Sequence, residues 1–475
     1  MEYEPVIGLE VHIQLKTRTK AFCACLTDFG NQPNSQVCPV CLGFPGTLPV
    51  LNIIALEYSV KVGLALNCLV QEYTKFDRKH YYYPDLPKNY QISQYELPIS
   101  KDGFLDINID GLIKRINIRR AHLEEDAGKL IHKDDLSLVD YNRAGIPLLE
   151  IVSDPDMNSP QEAYEYLTKL KSIIEYLDVS DCDMEKGSLR CDANISLRER
   201  GSKGLGVKTE LKNMNSFKAV KDALSFEIKR QSDLLDDGEK IIQDTRLWNT
   251  KELKTLPMRT KEGAKDYRYF PEPDLPPFII SPTKITEIKK DIPELPEVKA
   301  LRFQKEYGIL EYDSRIMVLN KKNSLFAEKC LTVYPDKDKK PVANWLIGPM
   351  LSEANSRNCD LPGLDISPKD LIELIGFTQR QEISNLTAKS VLTDMLNSKK
   401  TAAEVIKEKN LVQISDASGL ENYISDAIKE NCAVANDFKN GKENALMFLV
   451  GEVMKKSKGK ANPKVVQDLL KRRLV

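Results

Sequence analysis

The segment IGLEVHIQL, residues 7–15, indicates a β-strand with two chemically different faces. Apolar residues occupy every odd position, and Glu10, His12 and Gln14 alternate with them. Since side chains alternate between the two faces of a strand, Glu10 and His12 should project from the same polar face. A carboxylate and an imidazole placed in this way can share a metal ion, so the segment predicts both a sheet and a site on it.

A second acidic segment, AHLEEDAGK, residues 121–129, indicates another strand of this kind. His122, Glu124 and Asp126 should share one face, and strict alternation puts Glu125 on the opposite face unless the strand twists or bulges. Three consecutive carboxylates repel one another unless a cation or a basic group compensates them. Together the two strands offer a hard oxygen and nitrogen donor set suited to Mg²⁺, and a solvated polar sheet face is the alternative.

Four of the ten cysteines cluster just after the first strand, within residues 22–46. Cys23, Cys25, Cys38 and Cys41 follow the spacing C-x-C-x12-C-x-x-C, and the segment CPVCLGFPG favours tight turns around the second pair. Two close pairs on facing turns commonly supply the four tetrahedral ligands of zinc. We predict a structural zinc ion, because four thiolates leave no open position for substrate; unligated or redox-active thiols are the alternative.

Two further segments indicate a nucleotide or anion site. Basic and tyrosine residues interleave in KFDRKHYYYPDLPKNYQISQY, residues 75–95, and such a mixture can hold phosphate and stack a base. In GSLRCDANISLR, residues 187–198, polar residues including Arg190 and Asn194 alternate with apolar ones, as in a strand. The chain has no G-x-x-x-x-G-K-[ST] loop, so ATP would need a different cradle. For residues 75–95 a tyrosine-rich loop packed on the sheet is the alternative.

Composition limits the class of protein. The 475-residue chain is 41% hydrophobic and 29% charged, as in a soluble globular protein of about two to four domains. Its net charge is −1, so any surface that binds a polyanion must be local. No apolar run approaches the roughly 18 residues of a membrane span, and the first residues lack the basic and apolar regions of a secretory signal. We therefore expect a cytoplasmic protein without a membrane partner.

The sequence pattern divides the chain into three regions. Strand patterns dominate the first region and helical patterns the other two, which span residues 1–292, 293–410 and 411–475. Within the first region, helices are predicted over residues 158–177, where Asn158, Ser159 and Pro160 form the cap and first turn, and over about 216–236. In the second region Ser367 should cap a helix that starts at Pro368.

The last region carries the one strong charge bias of the chain. Residues 439–475 contain ten Lys or Arg and three Asp or Glu, a local net charge of about +7. Lys455, Lys456, Lys458 and Lys460 surround Gly459 in what we predict to be a turn between helices, and such a turn can lie along phosphates. A solvated helix end with favourable lysines is the alternative.

Seven long motifs together resemble the GatB family, the B subunits of tRNA-dependent amidotransferases. They are VIGLEVHIQL, KFDRKHYYYPDLPKNYQISQY, HLEEDAGK, VDYNRAGIPLLEIVSDPD, GSLRCDANISLR, ELKNMNSF and DYRYFPEPDLPP. The tail, from LVQISD to FLVGEVMKKSKGKANP, is similar to the helical tRNA-binding domain of that family. The resemblance extends over essentially the whole chain. It implies an α+β fold: an antiparallel-sheet cradle with flanking helices, followed by all-α middle and tail domains.

The resemblance also implies an activity. Enzymes of this family activate the side chain of Glu-tRNA(Gln) or Asp-tRNA(Asn) with ATP and Mg²⁺, and ammonia then displaces the phosphate to give the amide. The ammonia comes from a separate glutaminase (amidase) polypeptide, and a third, small polypeptide straps the other two together in a heterotrimer. Some members lack the cysteine quartet, so zinc is not required for the chemistry.

Site residues are assigned by combining the resemblance with the patterns above. Glu10, His12, Glu124 and Glu125 are predicted metal or catalytic residues, and it is the resemblance that favours Glu125. Phosphate candidates are Lys79, Arg190 and Lys208. Residues predicted to seat the adenosine or the tRNA 3′ end are Tyr81, Tyr82 and Asn194.

Two other functions use the same features. A metal-dependent phosphoesterase would employ the Glu/His cluster to release phosphate without forming an amide. A non-catalytic scaffold would use a zinc-stapled core and the basic tail to bind RNA. Amide formation on mischarged tRNA distinguishes both from an amidotransferase.

Overall fold

A computed structural model describes residues 2–202, 204–258, 267–412, 417–439, 441–457 and 460–474, without the side chains of residues 417 and 418. The chain divides into two compact units, Met1–Pro296 and Glu297–Val475. The first unit is mixed α and β, and the described part of the second is helical. The α+β class and the dominance of antiparallel pairing are confirmed.

The first unit is built on strands of very unequal length. In the described residues they are β1 (Tyr3–Gln14), β2 (Leu69–Val70), β3 (Tyr73–Thr74), β4 (Asp77–His80), β5 (Tyr90–Ser93), β6 (Ser100–Ile109), β7 (Leu112–Glu125), β8 (Lys129–Lys133), β9 (Leu136–Asp140), β10 (Pro147–Ser153), β11 (Leu189–Glu199), β12 (Thr209–Lys212), β13 (Thr245–Asn249), β14 (Lys254–Pro257), β15 (Phe270–Pro271) and β16 (Phe278–Ile279).

Nine of these strands form one sheet in the order β14–β13–β12–β11–β1–β10–β7–β6–β2. The pairs within it are antiparallel except for β12 with β13. Small sheets join β15, β4 and β5, then β16 and β3, then β8 and β9. The segment IGLEVHIQL forms a strand, as predicted, and the long strand β1 to which it belongs lies at the centre of the large sheet.

The described residues of the first unit form four helices: α1 (Ile53–Ala65), α2 (Pro160–Leu177), α3 (Phe217–Asp236) and α4 (Pro282–Lys290). The Ser159 side chain caps α2 by accepting a hydrogen bond from the Glu162 amide, so of the three residues predicted to open the helix Ser159 is the cap and Pro160 the first helical residue. Ser216 caps α3 in the same way. Helix α2 packs against α3 and β6, and α3 packs against β11.

The two faces of β1 have different surroundings. Ile7, Leu9, Val11 and Ile13 are at most 1% exposed and belong to one apolar core with residues of α2 and α3. The opposite face of the strand carries the polar residues that alternate with them. The apolar core requires one face of β1 to point inward. The strand register that buries the apolar residues therefore also places the polar residues together on the opposite face.

The second unit consists of helices. In the described residues they are α5 (Pro296–Tyr307), α6 (Glu311–Val318), α7 (Lys321–Val333), α8 (Lys340–Trp345), a π-helical turn (Leu346–Met350), α9 (Leu351–Ser356), a 3₁₀ turn (Pro362–Leu364), α10 (Pro368–Gln379), α11 (Asn385–Ser398), α12 (Ala402–Glu408), α13 (Ala417–Glu430), α14 (Cys432–Lys439), α15 (Asn444–Lys456) and α16 (Pro463–Leu474). Ser367 caps α10, as predicted. None of the described helices is long and apolar enough to cross a membrane.

Buried apolar residues in the described part of this unit form two separate cores. One core includes residues from Ala300 to Ile406, and the other includes residues from Leu420 to Leu474. Residues 413–416, next to the boundary expected at residue 411, lie outside the described part of the chain, so that boundary stays a prediction.

Candidate metal and nucleotide site

Four neighbouring strands bring polar side chains into one row across the sheet. Arg190 on β11 lies opposite His12 on β1, His12 lies opposite Glu150 on β10, and Glu150 lies opposite His122 on β7. Directly opposed residues of antiparallel strands project from the same face, with Cβ atoms about 4.5–5.5 Å apart. The row therefore places the Glu150 carboxylate between the imidazoles of His12 and His122, with the Arg190 guanidinium next to His12, on the face that points away from the apolar core.

Glu124 extends this row into a cluster. His12 Nε2 lies 3.3 Å from Glu150 Oε2 and 4.0 Å from Glu124 Oε1. One donor atom from each of His12, Glu124 and Glu150 lies within 4.8 Å of the others, a spacing that allows all three to hold one metal ion. His122 Nε2 lies 3.5 Å from Glu150 Oε2 and 3.8 Å from Glu124 Oε2, so it contacts both carboxylates.

The electrostatics of the cluster keep its carboxylates ionised. Burial opposes ionisation of Glu150, but His122 and His12 outweigh it and hold its pKa well below the ordinary value. Burial likewise opposes protonation of His12, yet hydrogen bonding to Glu150 raises the pKa of this histidine. Two buried carboxylates so close together need positive charge to remain ionised. The donor set is thus suited to a hard divalent cation.

Lys79 contributes positive charge from β4. Burial disfavours its ammonium, but the Glu124 and Glu150 carboxylates raise the pKa of Lys79 above the ordinary value. Its Nζ also lies 5.1 Å from the centre of the Tyr267 ring. A residue that binds phosphate next to a metal site must carry a positive charge, and the Lys79 ammonium beside the carboxylate cluster meets this requirement.

Glu124 and Glu125 point to opposite sides of the sheet. The Glu124 carboxylate accepts a hydrogen bond from Ser93 Oγ at 3.1 Å. Glu125 instead accepts hydrogen bonds from Lys88 Nζ at 2.7 Å and from the Ile92 amide at 2.9 Å. The register of β7 with β10 is unbroken up to Glu125, which pairs with Pro147, so alternation assigns Glu124 and Glu125 to opposite faces. The structure does not bring Glu125 into the His12–Glu124–Glu150 cluster.

Glu10 lies on the same face as His12 but one row away. Its carboxylate accepts a hydrogen bond from Asn194 Nδ2 at 2.9 Å, and it lies opposite Asp192 in the register of β11. Asn194 Oδ1 is buried and has no hydrogen-bond partner in the structure. Buried polar atoms normally form hydrogen bonds, so Asn194 Oδ1 is able to accept one from a donor group of a ligand.

Arg190 is held by Asp126 at the edge of the cluster. The Arg190 Nη2 atom lies 2.8 Å from Asp126 Oδ1, and Gln14 Nε2 donates to Asp126 Oδ2 at 2.7 Å. Burial raises the pKa of Asp126, but Arg190 and then Arg143 outweigh burial and hold it below the ordinary value. Arg190 is thereby fixed in orientation beside His12.

The remaining nucleotide candidates are more exposed. Tyr82 is 80% exposed, and Lys208 is exposed as well. Tyr81 is partly buried, with its ring centre 6.2 Å from that of Tyr267, and burial raises its pKa. The structure thus places Lys79 and Tyr81 beside the same tyrosine, whereas no polar contact ties Lys208 or Tyr82 to the cluster among the residues described.

The four cysteines converge as the sequence predicts. One sulfur from each of Cys23, Cys25, Cys38 and Cys41 lies within 4.8 Å of the others. Tetrahedral ligands about 2.3 Å from zinc lie about 3.8 Å apart, so the four sulfurs fit this ion after a small contraction. A hydrogen bond from Cys23 lowers the pKa of the Cys41 thiol to about 4, so Cys41 is predisposed to act as a thiolate ligand.

The structure changes part of the prediction for the tail lysines. Lys455 and Lys456 lie in the last turn of α15, so the turn predicted for them is wrong. Lys455 is 80% exposed, whereas Lys456 Nζ lies 2.6 Å from Glu430 and its side chain is 25% exposed. Lys460 follows the helix and is partly buried, and Lys458 lies outside the described residues. Lysines are favourable in this last turn because the helix dipole attracts cations there.

Sequence reasoning missed Glu150. It lies in the apolar segment IPLLEIVS and is 7% exposed. A single carboxylate in an otherwise apolar strand was the available signal, because a buried carboxylate needs basic or metal partners. The alternation in residues 121–129 predicts the correct face for His122 but indicates no role for it.

Comparison with known proteins decides the family. A model described as the GatB/GatE catalytic domain matches residues 5–286, and a model described as the GatB domain matches residues 326–474. The chain belongs to the GatB/GatE family. The resemblance noted in the sequence is confirmed, and the site lies within the matched catalytic domain of this GatB/GatE chain.

Relatives within the GatB/GatE family match along the full chain. Two of them are named as the B subunit of aspartyl/glutamyl-tRNA(Asn/Gln) amidotransferase. The protein of Carboxydothermus hydrogenoformans is 52% identical, and the match covers all of this chain and 99% of that protein. The protein of Thermoanaerobacter pseudethanolicus is also 52% identical, and the match covers all of both chains. The protein of that name in Thermodesulfovibrio yellowstonii is also 52% identical and covers 99% of each chain.

Proposed function

We propose that this chain is the amidating component of a tRNA-dependent amidotransferase. Its substrates would be Glu-tRNA(Gln), Asp-tRNA(Asn) or both, and its products the corresponding Gln-tRNA and Asn-tRNA. Family membership and the names of the full-length relatives support this proposal. The observation that carries it is the convergence of His12, Glu124 and Glu150 on one sheet face beside a charged lysine.

The reaction has two steps at one carboxyl group. A side-chain carboxylate oxygen of the aminoacyl-tRNA attacks the γ-phosphorus of ATP, and ADP leaves with the electrons of the broken bond. The nitrogen lone pair of ammonia then attacks the acyl carbon, inorganic phosphate leaves, and the nitrogen loses a proton to give the amide. Both steps need reacting groups brought together and held in line.

The residues of the cluster fit a bound Mg²⁺. His12, Glu124 and Glu150 would hold the ion, with Glu10 acting through a bound water or through Asn194. When bound, Mg²⁺ neutralises negative charge on the transferring phosphoryl group. His122 keeps both carboxylates oriented, at the distances given above.

Basic side chains would orient the phosphates. Lys79 lies beside the cluster on β4, and the Asp126 carboxylate holds Arg190 beside His12. The open acceptor Asn194 Oδ1 would take a hydrogen bond from the nucleotide or from the tRNA 3′ end. Tyr81, Tyr82 and Lys208 remain predicted contacts of the adenosine, the 3′ end or the phosphates.

The rest of the chain would support this chemistry in the cytoplasm. Residues 1–292 would form the catalytic cradle, residues 293–410 a helical domain and residues 411–475 a tail that holds the tRNA body. Ammonia would come from a glutaminase (amidase) partner, and a third, small polypeptide would complete the heterotrimer. The cysteine quartet would hold a structural Zn²⁺ that fixes the loop between β1 and α1.

The experiment that tests this function uses the chain together with its partner subunits. The complex is incubated with ATP, Mg²⁺ and mischarged tRNA, once with glutamine and once with ammonium chloride, and the amino acid released from the tRNA is identified. We expect Gln or Asn in both reactions. ATP hydrolysis without amide would favour a phosphoesterase, and tRNA binding without ATP consumption would favour a scaffold.

A further inference from the structure

Lys20 is a fully buried lysine outside the cluster described above. Its side chain is 0% exposed, and its ammonium contacts Cys41 Sγ at 3.6 Å and the Tyr141 carbonyl oxygen at 3.2 Å. Within the described ranges, no carboxylate forms an ion pair with it. A buried ammonium is strongly unfavourable unless an anion compensates it. The candidate anion at this position is the Cys41 sulfur.

The backbone holds Lys20 in this position. The Lys20 amide donates to the Cys25 carbonyl at 2.9 Å, and the next amide, of Ala21, donates to the Gly145 carbonyl at 2.8 Å. Gly145 has φ of +88°, and a Cβ added there would lie 3.3 Å from Lys20 Cδ and 3.6 Å from Cys41 Cβ. A glycine therefore allows the lysine stem and the cysteine to pack side by side, away from solvent.

Cys41 has the surroundings of a thiolate. Its sulfur accepts a hydrogen bond from the Cys38 amide at 3.2 Å in addition to the contact with Lys20. The other three cysteine sulfurs lie within 4.8 Å. Four thiolates around one divalent ion leave two excess negative charges, and a nearby buried cation offsets one of them.

We propose that Lys20 is the internal counter-charge of the four-cysteine zinc site and stabilises the metal through Cys41. This inference rests on the structural zinc ion proposed above and assigns it a charge partner from outside the cysteine motif. Lys20 is a positioning residue, since it contacts a ligand and not the metal. Its removal should weaken metal binding, because loss of such a partner typically lowers metal affinity about 10- to 100-fold.

The test compares two substitutions of buried lysines in the full chain with its partner subunits. Lys20→Met keeps most of the length of the unbranched side chain and removes its charge. Lys299→Met is the matched control, because Lys299 is also buried but lies 2.7 Å from Glu328 in the other unit. Zinc affinity is measured by chelator competition, and cobalt substitution is followed by its thiolate-to-metal charge-transfer absorption.

We expect Lys20→Met to lose zinc about 10- to 100-fold more readily and to change the cobalt spectrum, while Lys299→Met retains wild-type values. If Lys20→Met does not fold, Lys20→Arg, which keeps the charge, should bind zinc more tightly than Lys20→Gln. Wild-type affinity and spectrum in the uncharged variants would overturn the role of Lys20 alone. Wild-type protein that is found to bind no zinc would overturn the proposed zinc site itself. The proposed amide-forming activity would not be affected, because it is tested by a separate experiment.

Discussion

His12 and Glu150 face each other on adjacent strands, with Nε2 of the histidine 3.3 Å from Oε2 of the carboxylate. The contact joins the central strand β1 to β10, and β10 also pairs with β7, which carries Glu124. Glu150 therefore lies between the two strands whose acidic residues the sequence pattern singles out. We infer that it is the residue that turns two separate polar faces into one metal-binding cluster.

Substitution of Glu150 tests this position directly. Glu150→Gln keeps the shape of the side chain but removes a charge from the proposed metal site. Loss of a residue that only contacts a metal ligand typically lowers activity about 10- to 100-fold. We expect the rate of amide formation to fall by at least this factor, because Glu150 is proposed to contact the metal itself. Initial rates at several Mg²⁺ concentrations measure the effect, with the exposed Glu199→Gln on β11 as the control. Equal rates for both variants would remove Glu150 from the site.

Glu124 and Glu125 should differ in what their loss changes. Glu124 faces His12, whereas Glu125 binds Lys88 and the Ile92 amide on the other side of the sheet. We expect Glu124→Gln to raise the Mg²⁺ concentration needed for half-maximal ATP-dependent turnover. Glu125→Gln should lower activity or stability without that shift.

The opposite behaviour of the Glu124 and Glu125 variants would contradict this assignment. If Glu125→Gln shifts the Mg²⁺ requirement and Glu124→Gln does not, the family resemblance located the ligand correctly. The side-chain directions described here would then not be those of the metal-bound state.

Local patterns predicted the strands, the helix caps and the cysteine site. Ser159 and Ser367 cap helices because a serine just before a helical Pro favours that geometry wherever it occurs. Period two similarly put Glu10 and His12 on one face of β1. These features depend on residues close together in the chain.

Pairing between distant strands could not be predicted in the same way. Glu150 joins the cluster because β10 lies between β1 and β7, and the order of strands is set by the packing of the whole sheet. Lys20 gave no signal either, because its burial against Cys41 depends on the position of Gly145 far along the chain.

The tail lysines should contribute unequally to tRNA binding. Lys455 is 80% exposed and its Nζ lies 4.0 Å from Glu452, whereas Lys456 is 25% exposed and its Nζ lies 2.6 Å from Glu430. We expect Lys455→Ala to weaken tRNA binding and to lower the slope of log affinity against log salt by about 0.7–0.9, the value for one phosphate contact. Lys456→Ala should have a smaller effect, because Lys456 is less exposed and its closer ion pair with Glu430 must first be broken.

A salt series of tRNA-binding measurements checks this difference. Lys322→Ala, an exposed lysine of α7, is the control and should leave the slope unchanged. Identical slopes for the wild type and the Lys455 variant would identify the basic tail as a solvated surface.

Glu328 should make the stability of the second unit pH-dependent. Burial raises its pKa, but Lys299 and Arg302 outweigh burial and hold the pKa below the ordinary 4.5. Ionised Glu328 therefore stabilises the fold above pH 4.5, and this contribution is lost as the pH falls below that value. Glu328→Gln should cost about 1.5–3 kcal/mol at pH 7, and the difference from wild type should shrink in acid.

Denaturant unfolding at a series of pH values measures the Glu328 effect. The exposed Glu311→Gln, which breaks a surface pair with Arg315, is the control and should cost less than about 1 kcal/mol. A Glu328 penalty that stays constant from pH 7 to pH 3 would show that its charge does not stabilise the fold.

The most direct test of the proposed chemistry follows one oxygen atom. Mischarged tRNA is prepared with ¹⁸O at both oxygens of the side-chain carboxylate and incubated with the complex, ATP, Mg²⁺ and ammonia, and the released phosphate is analysed by mass spectrometry. If the carboxylate attacks ATP and ammonia displaces the phosphate, each amide formed must be accompanied by one phosphate that contains an ¹⁸O atom derived from the substrate. Phosphate released without ¹⁸O would contradict activation of the carboxylate by this chain.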